Sequence, residues 1–356
     1  MLKAYLASDK ALVALPESLA EGPDESFDLA KAAWIDLLSP TVAEIEQLRR
    51  LGIEVPTLED MEEIEVSNRL YLEGDTAYMT CVIPGQAVAG GPVQGETGVT
   101  DGSASPAQGT TGAGAVGGAQ PVSLPVTFIL NASRLVTVRH HEPRPFVTFP
   151  HRAGQSSCGA ASPERIFVGL VEEIAGRMAD LLEGVGRELD HVSGTLLGNT
   201  EPLAEEALRA SLLATGRSAA QISRVRLCLM TVERMLVFHI PNIEKRSEAG
   251  KLRATITATQ LDIHALHVHA EFLEGRITLT VDATMGMINL RQNVTVKILS
   301  VVAALFLPPT LIASTYGMNF RLMPELEWSF GYPLAVGLMV ASSVATFLIF
   351  RWKKWL

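Results

Sequence analysis

The chain has 356 residues, 47% of them hydrophobic, with 39 acidic against 29 basic side chains and a formal net charge of −10. That balance argues against a nucleic-acid partner, which needs a basic face, while the length allows two or three domains. Mean hydropathy is nevertheless positive, which an acidic chain reaches only when its apolar residues are concentrated in segments.

The opening MLKAYLASDK has no apolar core of the kind a signal peptide needs, so the N-terminus is expected to stay in the cytoplasm. Residues 1–160 read as an α/β domain. Short strands are expected at 2–6, 33–37, 77–82, 127–130 and 135–138, with Asn131-Ala132-Ser133 as a hairpin turn. Thr41 is placed to cap a helix running to Leu51, with Gly52 ending it. Residues 56–68 look helical and acidic (Glu59, Asp60, Glu62, Glu63, Glu65); a solvated face is the leading reading and a divalent-ion site the lesser one. Cys81, Cys158 and Cys228 are far apart and show no ligand spacing, so they read as ordinary thiols rather than a zinc or disulfide framework.

Residues 85–121 change character. Glycine recurs among Ala, Thr, Gln and Pro with no aromatic residue. Such a stretch buries too little to offset its ordering entropy, so a disordered insertion within the hairpin is expected.

Helix follows. Ser162 suits an N-cap and Pro163 a first helical position. Ile166, Leu170, Ile174, Met178, Leu181, Val185, Leu189 and Val192 then keep helical spacing, and a second helix is expected over about 205–238. Residues 161–250 are therefore a helical hairpin, and 251–296 a stalk helix. In the stalk, Ile263, Leu266, Ala270, Leu273 and Ile277 recur at 3, 4, 3 and 4, a coiled-coil-like seam. Residues 275–281 alternate like a strand, but a strand there has no obvious partner, and helix is expected. His264, His267 and His269 read as polar surface before they read as a transition-metal sensor.

From Lys297 to Arg321 there is no charged residue, enough helix to cross a bilayer core of about 30 Å. A second uncharged run covers 328–350. The first membrane helix is placed at 297–316, a loop at 317–330, the second helix at 331–350 and a basic tail at 351–356. Arg291 and Lys297 precede the first span, and Arg351, Lys353 and Lys354 follow the second. Both termini are thus expected in the cytoplasm. Trp328 and Tyr332 at one end, and Trp352 and Trp355 at the other, suit interfacial anchors.

One stripe of the first span carries Asn293, Val296, Leu299, Ala303, Leu307 and Thr310, at spacings of 3, 3, 4, 4 and 3, and no charge. Two helices enclose no water path, but several copies with this stripe inward would form a pore, polar at both ends and hydrophobic between. Such constrictions gate by dewetting. Pro308-Pro309 frees backbone carbonyls inside the span, tolerated where these face protein or water. Tyr316, Gly317, Met318 and Asn319 would stand at the outer mouth. A ring of neutral Asn319 oxygens suits a hydrated Mg²⁺, which gives up water reluctantly.

Tyr316-Gly317-Met318-Asn319-Phe320, Met323-Pro324-Glu325-Leu326, Gly331-Tyr332-Pro333 and the closing Lys353-Lys354-Trp355-Leu356 resemble the CorA family of magnesium channels. Weaker similarity reaches Trp34-Ile-Asp-Leu37 and Val225-Arg-Leu-Cys-Leu-Met230, so it covers nearly the whole chain. The resemblance implies a funnel-shaped homopentamer, with an α/β cytosolic domain, a long stalk helix and a two-helix transmembrane hairpin in a bacterial inner membrane. It implies Mg²⁺ uptake with Co²⁺ and Ni²⁺ as further substrates, Mg²⁺ acting as substrate and regulatory ligand with no other cofactor. The stripe matches the family's pore-lining positions at Asn293, Leu299, Leu307 and Thr310, and residues 317–319 its selectivity mouth. The family closes when Mg²⁺ fills acidic sites between cytosolic subunits; Asp262 is the candidate here. Arg321 departs from the family, which is often acidic there, and leaves Glu325 among the loop's acidic residues. The competing readings are a zinc transporter of the ZntB type, which Met318 disfavours, and a membrane-anchored oligomeric scaffold. An enzyme is not expected.

Overall fold

The computed structural model describes residues 1–8, 11–15, 29–63, 65–87, 121–198, 204–243, 249–318 and 328–353. They form two compact units, residues 1–191 with 215–277, and residues 192–214 with 278–356.

The first unit is built on one mixed sheet. Its strands are β1 (Leu2–Ala7), β2 (Leu12–Ala14), β3 (Trp34–Leu38), β4 (Leu70–Glu73), β5 (Thr76–Ala87), β6 (Pro121–Leu130), β7 (Leu135–Arg139) and β8 (His141–Glu142). They run β2-β1-β3-β7-β6-β5-β4, with β8 on β5. The central pair β3–β7 is parallel, with Asp36 opposite Thr137 and Leu38 opposite Arg139. Period-two alternation assigns the side chains. Trp34, Met79, Cys81, Ile83, Val126, Phe128 and Leu130 enter one core. Ile35, Leu37, Tyr78, Ile129, Val136 and Val138 enter the other. Each fully buried large apolar side chain contributes about 1.5–3 kcal/mol over leaving it in water, and β3 is buried on both faces.

Helices cover both faces. On the second core lie α1 (Val42–Arg50) and α2 (Leu58–Glu62), through Leu48 and Met61. Thr41 caps α1 as expected: its hydroxyl accepts from Glu44 N, and Glu44 Oε2 accepts from Thr41 N at 2.7 Å. Gly52, at φ 76°, follows the end of α1 in the left-handed region that only glycine enters freely. The acidic run expected as one helix is broken. A second capping box, Thr57 with Asp60, starts α2; Glu63 is extended (φ −53°, ψ 136°), and α3 (Val66–Arg69) leads into β4.

The β5–β6 ladder runs beyond its apolar stretches, from Ala77–Leu130 to Gln86–Pro121. Gly85 permits this, because a Cβ there would lie 2.6 Å from the His141 ring as β8 crosses. The expected turn forms around Asn131, whose Oδ1 accepts from Ser133 N at 3.0 Å and Arg134 N at 2.9 Å. The Gly-rich segment lies outside the described residues over 88–120.

The first core is closed by α4 (Arg144–Arg152), α5 (Pro163–Gly198), α6 (Glu205–Ile243) and the start of α7 (Ala249–Tyr316). Ser162 Oγ accepts from Arg165 N at 3.4 Å, as an N-cap should. The stalk seam packs as its spacing predicts: Ile263, Ala270 and Leu273 are buried, with Leu266 and Ile277 against them. Arg226 holds Glu274 through both carboxylate oxygens, at 2.8 and 2.7 Å. Residues 275–281 are helical despite their strand-like alternation, since the seam on either side is fixed by packing and local propensity is the weaker term.

In the second unit, Val192, Leu196 and Leu208 form a small core with Ala214, Met287 and Ile288 against it. The same unit holds the C-terminal part of α7 and α8 (Gly331–Trp352), the two helices among the described residues that are long and apolar enough to cross a membrane.

Candidate functional site

α7 reaches the first span without interruption, so one 68-residue helix carries the stalk seam and the uncharged stripe. All six stripe positions, Asn293, Val296, Leu299, Ala303, Leu307 and Thr310, are exposed, Leu299 and Leu307 at 70% and 71%. Val301, Ala304, Leu305, Pro308, Pro309 and Ile312 are half-buried on another face. On α8 the matching covered face is Ala335, Met339, Ser342, Thr346 and Phe350. Each span thus has one covered face, and the stripe is not part of it.

The polar groups of the spans are handled locally. Ser300 donates to the Val296 carbonyl at 2.8 Å, Thr310 to Phe306 at 2.7 Å and Thr315 to Leu311 at 2.8 Å. On α8, Ser342 donates to Met339 at 2.8 Å and Thr346 to Ser342 at 2.9 Å. A hydroxyl whose proton is used this way offers only lone pairs outward, so the Thr310 oxygen is an acceptor towards whatever faces the stripe. Pro308 and Pro309 have no N–H for the Ala304 and Leu305 carbonyls, which lie on the half-buried side. The stripe read from the sequence stops at Thr310, yet the exposed face continues to Ser314; extending the 3/4 spacing by one step finds it.

α7 ends at the sequence motif. Gly317 N donates to Ala313 O at 2.9 Å and Met318 N to Thr315 O at 3.4 Å. Tyr316 is half-buried, and Gly317 and Met318 are exposed. Gly317 is not in the left-handed region. What it supplies is room, because a Cβ would sit 3.1 Å from the Ala313 carbonyl oxygen. Asn319, Arg321 and Glu325, expected at the mouth and loop, lie outside the described residues. Trp328, Tyr332 and Trp352 flank α8, largely exposed as interfacial anchors are.

Asp262 is exposed on α7 in the first unit. Among the described residues, no three His, Cys, Asp or Glu side chains gather as a metal site. Two of the three stalk histidines are separately engaged: His267 Nε2 lies 3.8 Å from Glu233 Oε2, and His269 stacks on Phe272. Cys81 and Cys228 are buried and Cys158 is partly exposed, all three free.

An α/β unit, a long helix carrying an uncharged exposed stripe, and a second apolar helix are the parts of a two-span membrane protein. The family model described as "CorA-like Mg2+ transporter protein" matches residues 114–354. The magnesium transport protein CorA of Haemophilus influenzae is 30% identical over 357 residues, covering 100% of both chains. That of Escherichia coli K12 is 32% identical over 340 residues, covering 94% of this chain and 95% of its own. The solved CorA magnesium transporter of Methanocaldococcus jannaschii superposes with a TM-score of 0.68 at 18% identity, over 100% of this chain and 99% of that one. The chain belongs to the CorA-like Mg²⁺ transporter family. Membership makes it a transporter of the cell membrane rather than an enzyme.

Proposed function

We propose that this chain forms a membrane-potential-driven channel for Mg²⁺ uptake, with Co²⁺ and Ni²⁺ as further substrates. The observation that carries the reading is the uncharged, exposed stripe of α7 ending at Tyr316-Gly317-Met318-Asn319, in a chain whose relatives are named magnesium transport proteins. Five copies, the number the family resemblance implies, would turn this stripe inward. Asn319 oxygens would hold a hydrated ion at the outer mouth, helped by Tyr316, Gly317 and Met318, with Glu325 in the loop beyond. Val296, Leu299, Ala303 and Leu307 would make a hydrophobic passage between the Asn293 and Thr310 rings. Both termini would lie in the cytoplasm of a bacterial cell.

The driving force suffices. A charge crossing 100 mV gains about 2.3 kcal/mol, so a divalent ion gains about 4.6, an accumulation on the order of a thousandfold. Rising internal Mg²⁺ would close the channel through sites that include Asp262. Mg²⁺ enters this scheme as substrate and regulator, and no further cofactor is needed.

The test is Mg²⁺ flux into liposomes with a fixed potential and no pH gradient. Flux that follows voltage, falls with Mg²⁺ on the cytosolic side and vanishes in Asn319→Ala is expected. Normal transport by Asn319→Ala would remove the mouth assignment. Zn²⁺ flux that appears only with a proton gradient would replace the reading with a ZntB-type transporter, and no flux of any cation with a scaffold.

A further inference from the structure

Between α4 and α5, within the sheet-bearing unit, lies a groove of about 490 Å³ that takes no part in the transport scheme. α4 presents Arg144, Thr148 and Arg152 to it, one helical face at a spacing of four. α5 presents Glu172, Glu173, Arg177 and Asp180, with Gly169 and Gly176 on the same side. The formal charges balance, three guanidiniums against three carboxylates, but the hydrogen bonding does not. Glu172 accepts from the Ser156 hydroxyl at 3.0 Å and from that of Ser157. Glu173 Oε1 accepts from Thr148 Oγ1 at 2.7 Å and from Arg152 Nη1 at 3.3 Å. Asp180 lies 3.9 Å from Arg177 Nη1, too far for a hydrogen bond. The exposed Arg144 guanidinium has no hydrogen bond or ion pair among the described residues.

Contacts along the groove place this surplus of donors at one end. Ser156 meets Glu172, while Arg152 and Thr148 meet Glu173, so the two helices pass in opposite senses. Arg144, a turn before Thr148, therefore comes to the Gly176–Arg177 turn of α5, which lines the same groove. A Cβ on Gly169 would lie 2.8 Å from the Phe149 ring and 2.9 Å from Ser156 Oγ, so that end is closed. A Cβ on Gly176 would meet nothing within 4 Å. The open end is thus a space beside two guanidiniums, each with five N–H donors.

We propose that this groove binds a phosphate monoester about the size of a mononucleotide, its phosphate held over Gly176 by Arg144 and Arg177. Planar guanidiniums match phosphate oxygens through paired, charge-assisted hydrogen bonds. A dianion answers two guanidiniums, whereas a carboxylate leaves one charge unanswered. A bare divalent cation is a poorer occupant: both arginines repel it, Glu172 is taken up by two hydroxyls, and Glu173 by Thr148 and Arg152. The rest of the groove runs beside Pro145 and Phe149 to Gln155, an apolar wall with an amide beyond it, which suits the uncharged part of the ligand. Its volume falls within the range of about 300–1,000 Å³ usual for small-molecule sites. Neither the site nor its ligand depends on which ion the spans carry.

The test is equilibrium dialysis of radiolabelled AMP against the purified full chain in lipid nanodiscs, with a chelator present to remove divalent cations. Saturable binding is expected, displaced by inorganic phosphate and not by adenosine. Arg144→Gln and Arg177→Gln should each weaken it at least about tenfold, through loss of charge-assisted hydrogen bonds to the phosphate. Gly176→Leu fills the open space from an exposed helical position. It should abolish binding while the unfolding temperature stays nearly constant. Arg187→Gln, at an exposed position of the same helix outside the groove, should leave binding unchanged. The proposal is overturned by no saturable AMP binding, by displacement with adenosine rather than phosphate, or by full binding in both groove arginine variants. Weakening by Arg187→Gln as large as by Arg144→Gln would also overturn it, because the attraction would then be diffuse charge and not a site.

Discussion

Arg139 and Asp36, 103 residues apart in sequence, meet on the central parallel strands with Arg139 Nη2 2.7 Å from Asp36 Oδ2 and Nε 3.0 Å from Oδ1. Both side chains are at most 3% exposed. Thr137 donates to Asp36 Oδ1 at 2.8 Å and in turn accepts from the Trp34 indole at 3.1 Å, while Arg139 Nη1 donates to His141 O at 2.8 Å. The Phe146 ring of α4 covers the guanidinium at 5.2 Å. Satisfied on every side, the pair fixes β3 against β7 in one register; a one-residue slip would unpair both charges.

Removing one partner should therefore be severe. Arg139→Met leaves a buried carboxylate without its counter-charge and is expected to cost about 3–5 kcal/mol. Adding Asp36→Leu should recover most of that loss. Thermal unfolding of the detergent-solubilised chain reads both, and an additive double variant would mean that the two residues act separately.

His239 gives a pH dependence. It is 2% exposed, meets the Phe167 ring edge at 5.0 Å, and neither ring nitrogen has a hydrogen-bond partner. Burial pushes its pKa down from 6.5 to about 4. Above pH 6.5 both folded and unfolded chains keep it neutral. Between 6.5 and about 4 only the unfolded chain takes up the proton, so stability falls as pH falls through that window, by roughly 3 kcal/mol in all. His239→Leu should flatten the stability profile there; an unchanged slope would place the proton uptake elsewhere, for instance at His141, which burial also lowers to about 4.

Leu307→Ser tests the hydrophobic passage. Polar substitution in the stripe should wet it and raise flux at closing Mg²⁺ concentrations by about tenfold, the equivalent of ~1.4 kcal/mol off the dewetting barrier. The same change at Leu305, on the half-buried face, should not. Equal effects at the two positions would mean the stripe does not face the passage.

Gly317→Ala tests the end of α7. A methyl group 3.1 Å from the Ala313 carbonyl oxygen should shift the last turn by a few tenths of an ångström and so displace Met318. Transport at saturating Mg²⁺ should fall while unfolding temperature stays nearly constant, because the position is exposed. Full transport would show that the mouth tolerates that displacement.

Much of this architecture is local and was therefore legible. The Thr41–Glu44 capping box, the Ser162-Pro163 start, the Asn131 turn and the stalk seam all depend on residues within a turn or two of one another. The stripe and the motif at Tyr316 are visible for the same reason, since a helix repeats every 3.6 residues whatever surrounds it. The break at Glu63 was not visible, because an acidic run fits one helix as well as two. The long β5–β6 ladder was not visible either: Pro84, Gly85, Pro121 and Pro125 all argue against strand, and only pairing with a partner strand and with β8 overrides them.

By itself, then, the sequence determined where several helices start, that two of them are apolar enough for a bilayer, and that an uncharged stripe leads to a Gly-Met-Asn motif. Periodicity and composition are sufficient for that. Only the tertiary structure decided that Asp36 would be neutralised by Arg139, that Gly85 would lie against His141, and that His239 would be buried without a partner. Those outcomes depend on contacts between residues far apart in the chain, where loop closure and packing, rather than local propensity, select the conformation.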